Sequence, residues 1–206
     1  MSTHTLHAAV ALRALSIGTI PVHDKAPALA AWTEYQERLA TPEELAAQHK
    51  NGVDLAVVTG TVSANLETLD IDAPALIAPL KDQVRALAGD DLLDKLVMAG
   101  TPSGGEHWYY RHTGVPEGST VLARDHVGAI AIERRGQGAY AVIPPSAGRT
   151  YLQGSLEQVK TISTAERSCL LMAQLHKEGG IAPGRGTGAG GRRCRESPAS
   201  RRSRPS

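Results

Sequence analysis

The chain has no phenylalanine, and its aromatic residues are two Trp and five Tyr, 3% of 206 residues. A core made from it must rest on Leu, Val, Ile and Ala, and few rings remain to serve as stacking platforms for bases. Cysteine is as scarce: Cys169 and Cys194 stand far apart with no paired spacing, so neither a disulfide framework nor a zinc site follows from them. A reducing interior suits such a chain. No apolar run approaches the ~18 residues of a membrane span, and no charged-then-apolar leader opens the sequence, so a cytoplasmic protein without membrane contact is expected.

Net charge is also nearly missing, +1 over the whole chain, but it is unevenly spread. From Ile181 to Ser206 there are seven Arg against one Glu, a local +6 that leaves the preceding part at −5. An acidic folded part argues against a broad basic surface for duplex DNA and leaves room only for a local phosphate site. From Gly184 onward Gly, Arg, Ser, Pro and Ala dominate with almost no apolar residues, which predicts a disordered basic tail over 181–206 whose Arg suit non-specific contact with nucleic acid. The remainder, with 41% hydrophobic residues over the chain, is enough for one core.

Periodicity predicts a helix over His4–Ser16 and a strand over Ile17–Val22, then a turn at His23-Asp24-Lys25-Ala26-Pro27. Thr41-Pro42-Glu43-Glu44 is a helix start with a capping box, continuing through Leu45 to Lys50. Val53 to Thr59 reads as a central strand buried on both faces, closed by Gly60. The next strand, Leu66 to Ala73, is expected to pair with it as a sequence neighbour. A helix over Ala75–Leu87, a short strand at Leu96–Ala99 and a capped helix over Ser163–Lys177 complete the pattern.

Three stretches carry chemistry. Leu66-Glu67-Thr68-Leu69-Asp70-Ile71-Asp72-Ala73 ends in two carboxylates one residue apart, which in a strand leave the same face while Leu69 and Ile71 take the other. Two anions so close call for a proton, a basic partner or a divalent cation, and an Asp pair at a strand end is also a plain helix cap. In Gly100 to Arg111, the turn Ser103-Gly104-Gly105 lets backbone approach a ligand, its amides free for phosphate oxygens, and His107 begins the strand that follows. With Trp108 and Tyr110 facing the core, His107, Tyr109 and Arg111 share the opposite face. In Gly128 to Ser146, Ile130 and Ile132 alternate with Ala129, Ala131 and Glu133, delivering a third carboxylate. Gly136 to Gly138 then turns the chain, and Tyr140–Ile143 is expected to return as the antiparallel partner.

These residues, in this order, resemble the primase-polymerase (Prim-Pol) domain of the archaeo-eukaryotic primase superfamily, found at the N-terminus of plasmid, phage and prophage replication proteins. Asp70 and Asp72 match its acidic strand, Ser103, Gly104, Gly105 and His107 its Ser/Gly-Gly-x-His turn, and Glu133 its third acid, with Pro144-Pro145-Ser146 as the exit. Val57-Val58-Thr59-Gly60, Lys25-Ala26-Pro27 and Trp32 extend the similarity over about Ile17 to Tyr151.

The resemblance implies an α/β (α+β) fold, a mixed, largely antiparallel sheet flanked by helices. Residues 1–160 would form the catalytic domain, 161–180 a C-terminal helix and 181–206 the tail. It implies a template-directed nucleotidyltransferase, with Asp70, Asp72 and Glu133 holding Mg²⁺ or Mn²⁺. His107, Ser103, Gly104 and Gly105 would meet the triphosphate, and Lys25, Arg111 and Arg135 would contact phosphate or template. Its partners would be a (d)NTP, single-stranded or primed DNA, and a replicative helicase acting in trans. Two departures stand out: the third acid is Glu rather than the family's commoner Asp, and no large helical accessory domain follows. A metal-dependent nuclease and a non-catalytic nucleotide or nucleic-acid binder are the alternatives.

Overall fold

The computed structural model of the chain describes residues 3–49 and 53–173, so the predicted tail over 181–206 lies outside the described residues, as do the last positions of the helices predicted to reach Lys50 and Lys177. In order, the elements are α1 (Thr3–Ala14), β1 (Thr19–His23), β2 (Ala26–Pro27), α2 (Pro42–Gln48), β3 (Asp54–Val58), β4 (Leu66–Ile71), α3 (Ile77–Ala88), α4 (Asp90–Leu93), β5 (Val97–Gly100), β6 (Glu106–His112), β7 (Thr120–Arg124), β8 (Ile130–Arg135), β9 (Tyr140–Ile143), β10 (Thr150–Gln153), β11 (Thr161–Ile162) and α5 (Thr164–Met172). They form two sheets. The smaller runs β2-β1-β3-β9, the larger β10-β5-β6-β4-β8-β7, and β11 adds to β6 as the parallel pair in an otherwise antiparallel arrangement. This is the mixed, largely antiparallel α+β architecture expected. Among the described residues no helix is long and apolar enough to cross a membrane.

The larger sheet is covered on both faces. Leu69 and Ile71 of β4 and Trp108 and Tyr110 of β6 pack with Leu80 and Val84 of α3 and Cys169 and Leu170 of α5. Leu66 and Tyr109, on the other face, pack with Ile20, Val57 and Ile143 of the smaller sheet. Alternation along β6 therefore sorts its side chains as predicted, with Trp108 and Tyr110 on the helix side and Tyr109 toward the second sheet. The capping boxes also form: Thr41 accepts from the Glu44 N–H at 3.2 Å at the start of α2, and Ser163 accepts from the Glu166 N–H at 3.2 Å at the start of α5.

Two expected pairings are corrected. β3 and β4 are not neighbours; β3 lies between β1 and β9, and only a single bridge, Gly60 to Leu66, joins the two segments. A helical turn at Thr61–Ser63, followed by Ala64 and Asn65 in left-handed conformation, lifts the chain from one sheet into the other. Likewise β8 and β9 do not form a hairpin, because β9 pairs with β3. The Gly-rich turn is held to the end of β3, where Thr59 N–H donates to the Ala139 carbonyl at 2.9 Å and Thr59 Oγ1 to the Gly136 carbonyl at 2.5 Å. At Gly136 a Cβ would collide with the Glu117 carbonyl oxygen, so only glycine lets the chain pass. Beyond β9, Ser146 Oγ accepts from the Leu55 N–H at 2.8 Å and donates to its carbonyl at 3.2 Å, fixing the Pro-Pro-Ser exit to β3.

On the helix side of β4, Glu67 is fully buried. Arg167 of α5 grips it with Nε at 2.7 Å and Nη2 at 2.8 Å, Tyr110 donates its hydroxyl at 3.1 Å, and Arg134 Nη1 lies 3.9 Å away. This knot ties α5 to the sheet. Glu67→Ala leaves a buried guanidinium without its carboxylate and is expected to lower unfolding free energy by about 3–5 kcal/mol in urea titration, with Glu67→Gln less affected.

Candidate functional site

β4 runs between β6 and β8, and the register places Asp70 directly opposite His107 on one side and Glu133 on the other. The three side chains thus start from one row across three strands, on the face turned toward the smaller sheet. Asp70 is buried, its side chain 5% exposed, with Oδ1 3.2 Å from His107 Nε2. The other ring nitrogen, Nδ1, is 2.9 Å from the Tyr109 hydroxyl, which fixes the imidazole plane. Arg135, two residues past Glu133 on the same face, places Nε and Nη2 each 2.8 Å from Asp70 Oδ2, with Nη2 3.3 Å from Glu133 Oε2. A guanidinium therefore bridges two of the three acids.

Asp72 lies just past the end of β4, where its N–H donates to the Ala131 carbonyl at 3.0 Å. Burial pushes the Asp70 carboxyl up, but the hydrogen bond and charge of His107, with Arg135, outweigh it and hold the group at about 2. Asp72 moves the other way, raised by partial burial and by the negative charge of Asp70. The pair is thus split into one carboxylate locked ionised and one that takes a proton more readily.

A cleft of about 330 Å³ opens between the two sheets at this row. Asp70, Asp72, His107, Ser103, Lys25 and Arg135 all line it. Glu133, Gly104, Gly105 and Arg111 are not among its lining residues. Glu133 faces Arg135, and Arg111, at the far end of β6 opposite Leu66, donates Nη2 to the Leu15 carbonyl at 2.7 Å. The Gly-Gly turn also differs from its expected role. Gly104 N–H is taken by the Thr101 carbonyl at 3.0 Å rather than left free, and at Gly105 a Cβ would collide with the Ile71 carbonyl oxygen. Glycine there lets the turn press against the end of β4. Ser103 keeps its hydroxyl in the cleft, 3.1 Å from Thr101 Oγ1.

Beyond the residues of the motifs, Tyr140 and Arg149 also line the cleft. Tyr140 stacks edge-on against Trp32 with ring centroids 5.2 Å apart and donates its hydroxyl to the Lys25 carbonyl at 3.1 Å. Arg149 closes another part of the wall. Its neighbours in sequence, a glycine and a threonine, mark a turn and nothing more; only the tertiary structure brings it to the cleft.

Among the described residues no group of three or more His, Cys, Asp and Glu side chains is gathered closely enough to hold a metal ion. The donor chemistry nevertheless fits a hard divalent cation at two of the three acids. Asp70 Oδ1 is buried with the His107 imidazole beside it at 3.2 Å, and Asp72 is exposed on the same cleft wall. Glu133 fits only once Arg135 lets it go.

Two packed sheets enclosing a cleft lined by carboxylates, one imidazole and several cations make this an α+β protein whose cleft carries charge of both signs. The family model for the bifunctional DNA primase/polymerase N-terminal domain (Prim-Pol) matches residues 7–164, and the chain belongs to that family, one of primase/polymerase-type nucleotidyltransferases. The match runs beyond both ends of the stretch in which the motifs lie. None of the curated proteins compared with the chain matches it.

Because the Asp70 carboxyl sits below its ordinary value of 3.8 at about 2, its ionised form stabilises the fold at every pH above roughly 4. That contribution, about 2 kcal/mol, is lost as pH falls from about 4 toward 2. In EDTA, the difference in urea midpoint between wild type and Asp70→Asn is expected to be constant above pH 5 and to narrow below pH 4; a constant difference down to pH 2.5 would contradict the assignment.

Proposed function

We propose that the chain is a metal-dependent primase/polymerase domain of a plasmid, phage or prophage replication system, acting on a (d)NTP and a single-stranded or primed DNA template in the cytoplasm. The observation that carries this reading is the in-register pairing of Asp70 with His107 on the wall of a cleft that also presents Asp72, Ser103 and Lys25, in a chain of the Prim-Pol family.

In the reaction, the 3′-oxygen of the primer forms a bond to the α-phosphorus of the nucleotide while the bond to pyrophosphate breaks. Asp70 and Asp72 would hold Mg²⁺ or Mn²⁺, ions that prefer carboxylate and phosphate oxygens, with Glu133 as a third ligand. When bound, such ions lower the pKa of the attacking hydroxyl and neutralise charge on the phosphates. His107, with Nδ1 engaged by Tyr109, would turn Nε2 from Asp70 Oδ1 to donate to a phosphate oxygen. Ser103 Oγ and Lys25 Nζ supply further donors from the cleft wall, and Arg135 is placed to follow the charge, exchanging Glu133 for phosphate. A helicase acting in trans would open the template.

One observation favours a second reading, a nucleotide binder without turnover: the Arg135 bridge already neutralises Asp70 and Glu133. Extension of a labelled primer with dNTPs separates the two. Elongation that requires Mg²⁺ or Mn²⁺ and falls at least about 10³-fold in Asp70→Ala/Asp72→Ala is expected. Nucleotide binding with no elongation in either ion would leave the binder, and shortened strands would point to a nuclease.

A further inference from the structure

The acid row already holds a cation of the chain's own. Arg135 brings Nε and Nη2 each to 2.8 Å from one oxygen, Asp70 Oδ2, and Nη2 stands 3.3 Å from Glu133 Oε2. The other Asp70 oxygen, Oδ1, lies 3.2 Å from His107 Nε2. Both oxygens of the buried carboxylate therefore face nitrogen, and among the described residues no three His, Cys, Asp or Glu side chains are gathered to share a metal ion. The acids are spaced for a planar guanidinium, whose contacts are longer than the ~2.1 Å that Mg²⁺ demands of each oxygen.

The backbone that carries this arginine is fixed. Arg135 stands opposite Thr68 in the pairing of β8 with β4, and a Cβ on the next residue, Gly136, would collide with the Glu117 carbonyl oxygen. Its side chain is less confined. It is 33% exposed, against 5% for Asp70 and 18% for Glu133, and it lines a cleft of about 330 Å³ into which it can swing. A divalent ion seated on Asp70 Oδ2 and Glu133 would meet the guanidinium at close range, and like charges so near repel. One of the two cations has to leave, and only the arginine has both a flexible stem and room to go.

We propose that Arg135 is the resident counter-ion of the acid row, an internal competitor that a divalent cation displaces from Asp70 and Glu133. It compensates the carboxylates in the metal-free protein and weakens metal binding by the same contacts. The inference rests on the polymerase reading for the presence of a metal, and adds to it the residue that sets how readily the metal enters. Lysine keeps the charge but, as a point rather than a fork, spans the two carboxylates less well.

The test is Mn²⁺ binding to the full chain without nucleotide, followed through the electron paramagnetic resonance of the free ion. Arg135→Gln is expected to bind Mn²⁺ about tenfold or more tightly than wild type, with Arg135→Lys between them. Asp70→Asn in the glutamine background is expected to abolish the gain. In EDTA the glutamine variant, its carboxylates uncompensated, is expected to melt below wild type and to gain more in thermal midpoint on adding Mn²⁺. Should that variant not fold, the wild type serves alone: its Arg135 Nε–H resonance, identified by its loss in Arg135→Lys, is expected to shift and exchange faster with solvent on saturation with Mg²⁺. Mn²⁺ affinity in Arg135→Gln equal to or below that of wild type, no Mn²⁺ bound by either, or an Nε–H signal unmoved by Mg²⁺ overturns the inference. Primer extension decides the polymerase reading separately. Elongation with equal Mn²⁺ affinities removes the inference alone, whereas tighter binding by Arg135→Gln without elongation by the wild type leaves it standing and removes the polymerase.

Discussion

The structure turns on a carboxylate placed where a carboxylate is expensive. Asp70 sits inside the central strand of a six-strand path, flanked on both sides and covered on both faces, and such a charge persists only with partners brought to it by the fold. His107 and Arg135 are those partners, and both arrive through strand register rather than through loops. The same register that satisfies Asp70 brings Glu133 across from it. Compensation of a buried charge and assembly of the site are one arrangement.

The cleft beside it exists because the chain refuses its simplest path. After β8 a hairpin return would have extended the larger sheet; instead the Gly136–Gly138 turn is tied to Thr59, and β9 joins the smaller sheet. Arg135 ends β8 in one sheet and Tyr140 begins β9 in the other, so a few residues of backbone contribute to both walls of the cavity. For a chain of the Prim-Pol family, that cavity is the proposed meeting place of a nucleotide and a primer end.

Much of this was legible in the sequence, and the reasons for what was not are physical. Capping boxes at Thr41 and Ser163 are local hydrogen-bond patterns and formed as read. Two-residue alternation sorted Trp108 and Tyr110 from His107 and Tyr109, since period alone fixes strand faces. Partner choice is different in kind. An apolar run such as Leu55-Ala56-Val57-Val58 carries no mark of which neighbour it will take. The expected pairs β3 with β4 and β8 with β9 therefore followed the short-loop rule and missed the change of sheet, which depends on Glu117 and Thr59 closing on glycines from a distance. The Gly104-Gly105 pair was visible as a tight turn, but whether it opens its amides to a ligand or packs on Ile71 is a tertiary matter. Arg149 had no local signal at all.

β4 also carries acids of opposite facing at close spacing. Glu67 points to the helix layer and its arginine knot, Asp70 to the cleft and its imidazole. A slip of this strand by one position against β6 and β8 would trade the two faces, thrusting Asp70 among Leu80 and Val84 and turning Leu69 and Ile71 toward the cleft. Misalignment is thus punished on both sides at once, and the strand carries its own proofreading: only one alignment leaves neither anion stranded.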